Sequence, residues 1–200
     1  MPAMFTDEDA ADDFPLHHGA LSLSFVGTIG RRQSSHVERL PDADALLRWL
    51  RRSGILECRS GTKVSRDNYR DGLELRELLA RLAGCVADDE KPVAKDVRHL
   101  NDFVAARYET PALRVRSAEG RDRLEIRPSN NVSKALGELA ADAVRVFAKH
   151  GQKHRLVRCQ LDECGAVLLS PANRALRLWC SPERCANVSK VRAFRARRMK

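Results

Sequence analysis

Cys159, Cys164, Cys180 and Cys185 fall as two close pairs, with four residues inside each pair and fifteen between them. Two thiol pairs at that separation have the spacing of metal ligands on a hairpin. Zinc prefers four ligands in a tetrahedron, and a site made of four thiolates is closed and structural, with no position for a reacting water. The neighbouring residues suit the task. Gly165 follows the second cysteine, where a tight knuckle needs a residue that tolerates positive φ. Ser181-Pro182 follows the third, and Ser at an N-cap with Pro at the first helical position opens a helix. Cys180 and Cys185 are therefore expected to flank a first helical turn, whose N–H groups favour thiolates. Two disulfides, or four unrelated reduced thiols, are the alternatives to zinc.

Charge points to the same stretch. The chain of 200 residues carries a net +9. Residues 153–200 hold 12 Lys and Arg against Asp162, Glu163 and Glu183, and so account for the whole excess. A zinc ion with four thiolates contributes −2, which leaves the segment at about +7. A concentrated positive field of this kind attracts polyanions. Arg174 and Arg177 precede the third cysteine. Lys190, Arg192, Arg195, Arg197, Arg198 and Lys200 follow the fourth. Such side chains neutralise phosphates, and Arg can also grip guanine through two donors. The competing reading is a solvated face, with Arg155, Arg158 and Arg184 near enough in sequence to buttress the thiolates.

The elements that must position these residues are legible from periodicity and punctuation. Residues 1–19 form an acidic arm, expected to be flexible, with Asp7, Glu8, Asp9, Asp12 and Asp13. It lacks the basic start of a signal peptide, and no apolar run reaches membrane-spanning length. A cytoplasmic protein with reduced thiols is expected, nucleoid-associated if it binds DNA. His17 and His18 have no partner at ligand spacing and are read as surface residues. Leu21, Leu23 and Phe25 alternate with serines, which suggests a strand, with a short helix as the alternative. Pro41-Asp42 opens a helix that Gly54 stops, with Trp49 in the core. Ser65 caps a second helix over 66–83, a third runs over 92–108, and a fourth over 132–149. Leu113 to Val115 and Leu124 to Ile126 alternate around Glu119-Gly120 and read as a hairpin. Residues 166–169 return from the first cysteine pair, Trp179 packs across the knuckle, and 182–198 form a closing helix. Cys58 and Cys85 stand alone. The fold class is α+β: a mainly helical N-terminal domain over 20–152 with a small hairpin or sheet, then a finger over 153–200 resembling a treble clef.

The stretch from RLVRC through WCSPERCANVSKVRAFRAR resembles the CGNR-type zinc finger, with Trp179, Cys180, Ser181, Cys185, Asn187 and Lys190 on that family's pattern. Ala186 and Val188 replace its Gly and Arg. Upstream, LSFVGT and DADALLRWLRRSGIL are similar to the ABATE domain usually found before this finger, with Gly27 where its opening motif has Asn. The resemblance implies a stress-linked bacterial transcription regulator that binds DNA.

The sequence contains no Gly-rich phosphate loop, Ser/His/Asp set or paired-carboxylate motif, so an enzyme is not expected. The function expected is that of a zinc-dependent DNA-binding transcription regulator. Its N-terminal domain would sense a small-molecule effector or form a homodimer. The nucleic-acid contacts expected are Arg174, Arg177, Asn187, Lys190, Arg192, Arg195, Arg197 and Arg198. An RNA-binding or protein-interaction module with a structural zinc site is the alternative. RNA readers stack bases on aromatics, and the finger offers only Trp179 and Phe194, which favours duplex DNA.

Overall fold

A computed structural model describes residues 14–57, 61–118, 121–173 and 175–198. Among the described residues the chain is about half helical, with three small antiparallel sheets of two strands each. Helix α1 (Leu21–Val26) leads into the short pair β1 (Ile29–Gly30) and β2 (Val37–Glu38). Helices α2 (Ala43–Arg52), α3 (Arg66–Ala87) and α4 (Ala94–Arg107) follow. The hairpin β3 (Leu113–Ala118) and β4 (Arg121–Ile126) then precedes α5 (Val132–Ala148). A second hairpin, β5 (His154–Arg158) and β6 (Val167–Pro171), precedes α6 (Asn187–Arg198).

The helix boundaries follow from their caps. Asp42, Ser65 and Asn131 each sit in extended backbone and accept a hydrogen bond from the N–H three residues on, at 2.7, 3.1 and 3.2 Å. Each satisfies one of the orphan donors of a first turn. Gly84 does not end α3, which continues to Ala87. Its position inside the helix leaves room for Arg158, whose Nη2 lies 3.0 Å from where a Cβ would stand.

The stretch at 21–26 is a helix, and the expectation of a strand is corrected. Alternation with serine suggests one wet face, yet Ser22 and Ser24 are as buried as Leu23 and Phe25. Their hydroxyls are satisfied internally. Ser22 donates Oγ–H and N–H to the Asp142 carboxylate on α5 at 2.7 and 2.9 Å, and Ser24 donates to the Ala20 carbonyl at 2.8 Å. With its polar groups paired, α1 can be buried on all sides, and Asp142 supplies the acceptor that a helix N-terminus favours.

The main core joins α1 to α5 around Phe25, Leu46, Trp49, Leu50, Leu75, Leu79, Leu136 and Leu139. Phe25 and Trp49 pack with ring centroids 4.9 Å apart. Phe14 also belongs to this core. Of the arm expected over 1–19, residues 1–13 lie outside the described residues, while Phe14, Pro15 and His18 are buried. The expectation of a surface His18 is therefore corrected: the ring is 3% exposed and fills the space beside Gly27. A Cβ at position 27 would stand 2.5 Å from its Cε1, so no larger residue fits there while the imidazole does.

A second, smaller core joins the two halves of the chain. Leu156 and Val167 of the β5–β6 hairpin pack with Leu23 of α1, Ala83 of α3 and Val146 of α5. The Leu169 N–H donates to the His18 carbonyl at 2.8 Å, and Arg158 pairs with Asp88 just beyond α3 at 2.7 Å. The hairpin thus rests on the helical domain and carries Cys159 and Cys164 in the connection between its strands.

Candidate metal centre and nucleic-acid interface

The sulfur cluster is built by three backbone devices. Strand pairing ends at Arg158↔Val167, and one further bond, Cys159 N–H to the Ala166 carbonyl at 2.8 Å, fixes the first ligand at the mouth of a knuckle. The Cys164 N–H closes that knuckle onto the Leu161 carbonyl at 2.8 Å, and Gly165 follows at φ +65°, as the sequence requires. The Gln160 N–H reaches the Leu178 carbonyl at 2.9 Å, which brings the segment of the third ligand alongside the first. Ser181 then caps a single wide helical turn over Pro182–Ala186, accepting from the Arg184 N–H at 3.1 Å. That turn carries Cys185 back to the cluster before α6 begins.

The four Sγ atoms lie within 4.8 Å of one another. The separations Cys180–Cys185, Cys164–Cys180 and Cys164–Cys185 are 3.3, 3.5 and 3.7 Å. A tetrahedron with zinc–sulfur bonds of 2.3 Å has edges of about 3.8 Å, so one zinc ion fits. Such close thiols cannot titrate independently. Hydrogen bonding with Cys164 drives Cys159 far below the usual thiol range, and hydrogen bonding with Cys159 drives Cys180 far above it. A dication is the natural neutraliser of the thiolate charge so gathered. Cys159, Cys180 and Cys185 are buried with Leu168, and Val157, Leu161, Ala166 and Trp179 pack around them.

The chain belongs to the ABATE family. Residues 19–150 match that family, described as "Putative stress-induced transcription regulator", and residues 155–198 match the CGNR zinc finger. A search of curated proteins finds no match. Both families are of regulator or zinc-finger type rather than enzyme classes. The order of the two matches agrees with the resemblance read from the sequence.

In this ABATE–CGNR chain the basic residues divide into two groups. Arg177 is held in place: its Nε and Nη2 donate to the carbonyls of Trp179 and Cys180 at 3.1 and 2.6 Å, and its N–H donates to Ser170 Oγ at 3.0 Å. It ties down the segment that delivers the third ligand. Arg192 pairs with Glu163 inside the knuckle, at 2.9 Å for Nη1, and this pairing holds the Glu163 carboxyl below its usual range. Arg158 serves the domain junction through Asp88. By contrast Asn187, Lys190, Arg195, Arg197 and Arg198 are all exposed on α6, a helix with no buried residue. Arg198 lies over the Phe194 ring, 5.6 Å from its centroid. Arg174 and Lys200 lie outside the described residues, as does Cys58.

Sequence reasoning missed the loop between β1 and β2. The Arg32 N–H donates to the Cys164 carbonyl at 3.1 Å, and Ser34 Oγ–H donates to the Glu163 carbonyl at 3.3 Å. The Arg32 guanidinium pairs with Glu77 at 2.9 Å. Glu77 also meets Arg76, which grips Glu38 through two bonds of 2.7 Å. Arg76 is 3% exposed, so this network runs from the interior of the helical domain to the backbone of Cys164 in the sulfur cluster. No local spacing signals it, because its members are far apart in sequence. No helix among the described residues is long and apolar enough to cross a membrane.

Proposed function

We propose that this ABATE–CGNR protein is a zinc-dependent, duplex-DNA-binding transcription regulator in which α6 carries the contact surface. One observation supports the reading most. Helix α6 has no fully buried residue, and Lys190, Arg195, Arg197 and Arg198 are exposed and make no ion pair among the described residues. A helix with no fully buried residue contributes little to the core, so its basic side chains are available to phosphates. Asn187, Lys190, Phe194, Arg197 and Arg198 recur at helical spacing along one face. A helix of this width enters a major groove, where Arg can read guanine, Asn can read adenine, and an apolar side chain can meet a thymine methyl. Phe194, at 53% exposure, is placed among the cations for that apolar contact. The zinc site's part is structural: it anchors the N-terminal end of α6 to the β5–β6 hairpin.

The test is salt dependence. Each phosphate contact contributes roughly −0.9 to the slope of log K against log salt. Replacing Lys190, Arg195 and Arg198 together with alanine is expected to flatten the slope by up to about three units while zinc content stays unchanged. A variant that retains zinc and fold yet binds duplex DNA with the original affinity and slope would refute α6 as the contact surface. Sequencing of nucleic acid that co-purifies at low salt separates a set of promoters, which supports the proposal, from ribosomal RNA, which overturns it.

A further inference from the structure

The hairpin β3–β4 carries a face that the fold leaves uncovered. Leu113 pairs with Ile126 and Val115 with Leu124 across the strands, so these four side chains lie on one face. They are 65, 61, 70 and 61% exposed, in the order Leu113, Val115, Leu124, Ile126. The opposite face is polar and serves the protein itself: Arg114 and Arg116 both reach Glu125, and Arg114 also reaches Glu57. Isolated two-stranded hairpins are marginal in water unless an apolar face is packed against something. Four large aliphatic side chains in two adjacent rungs form a contiguous patch, not the scattered exposure normal for a surface.

We infer that this face is a homodimer interface, in which the hairpin of a second copy packs face to face against the first across a two-fold axis. Charge favours that occupant. Residues 1–152 balance 24 Lys and Arg against 24 Asp and Glu, whereas the finger carries the excess of +9. Two copies repel through their fingers and meet at least cost through the neutral half. The hairpin face itself holds no Lys or Arg among its described side chains. Its polar rung is Ser117 with Asp122, in which Ser117 Oγ–H already donates to the carboxylate at 2.6 Å. A face without cations is a poor seat for nucleic acid. It is well suited to an identical apolar face, since a two-fold interface needs only one self-complementary patch. The four side chains expose on the order of 500 Å² per copy, so a symmetric pair buries about 1,000 Å², the size at which specific interfaces begin. The inference does not depend on whether α6 binds DNA.

The experiment is sedimentation equilibrium on the full, zinc-loaded chain over a wide concentration range. The wild type is expected to reach twice its 22.4 kDa mass. The double variant Val115→Thr/Leu124→Thr keeps residues that favour strands but removes apolar area. It is expected to raise the dimer dissociation constant by at least about tenfold, with unchanged circular dichroism. Hydrogen exchange gives a second readout that does not depend on the variant: amides of 113–118 and 121–126 in the wild type should gain protection as concentration rises. A wild type that stays monomeric to high micromolar concentration would overturn the inference. So would a dimer indifferent to the double substitution, or a monomer whose hairpin instead binds neutral phospholipid vesicles.

Discussion

Cys180 sits 3.5 Å from the sulfur of Cys164 and 3.3 Å from that of Cys185, and its own backbone is pinned by Arg177. Exchanging its soft sulfur for the oxygen of serine leaves three thiolates and a poor fourth ligand. Elemental analysis is expected to give about one zinc per wild-type chain and a small fraction of that for Cys180→Ser. An unchanged metal content would disprove the four-cysteine site. Beside Gly27, burial of the ring, then the charges of His17 and Arg177, lower the His18 pKa from 6.5 to about 3. The unfolded chain therefore takes up a proton near pH 6.5 that the folded chain refuses until near pH 3. Stability from this group is intact above pH 6.5 and is lost as pH falls below it. Urea midpoints between pH 7.5 and 5.5 should decline for the wild type. The decline should be shallower for His18→Phe, which keeps a ring beside Gly27. Equal slopes in the two proteins would remove His18 as the cause.

At the scale of elements, packing decides more than propensity. Helices α4 and α5 meet where Gly137 faces the end of α4. A Cβ there would stand 2.5 Å from the Arg107 carbonyl carbon and 2.8 Å from the Tyr108 nitrogen. Backbone cannot yield as a side-chain tip can, so Gly137→Ala must part the two helices. The expected cost is about 1–3 kcal/mol, which lowers the thermal midpoint by roughly 3–10 °C in a chain of this size. A calorimetric midpoint equal to wild type would show that the helices slide at no cost. The helices α2, α3 and α5 were legible because each begins with a capping side chain ahead of an apolar stripe. The α1 stretch was misread because its serines look solvent-facing until Asp142, 120 residues away, is known to accept from one of them.

At the scale of the whole molecule, the metal and the helical domain share a boundary that is not a clean cut. Leu156 and Val167 belong to the junction core, while Cys159 and Cys164 between them belong to the sulfur cluster. Chelation of zinc is therefore expected to release 159–165 and 177–198, while β5 and β6 keep much of their protection on the helical domain. The loop at 31–36 should loosen together with the knuckle, since Arg32 and Ser34 bond to the carbonyls of Cys164 and Glu163. Hydrogen exchange with and without chelator reads all three regions. Loss of protection throughout α2 and α5 would show that the domain cannot stand without metal.

Four cysteines, their spacing, Gly165 and Ser181-Pro182 determined the metal centre from the sequence alone, because ligand number, turn conformation and capping are local properties of adjacent residues. The placement of the excess charge was equally plain. The tertiary structure alone decided which basic residues remain available. Arg177, Arg158 and Arg192 look like their neighbours in the sequence, but each is engaged by a carbonyl or carboxylate brought near by folding. It alone decided that the β3–β4 hairpin keeps an apolar face uncovered. Alternation says only that a strand has two faces, and which of them finds a neighbour depends on where every other element packs.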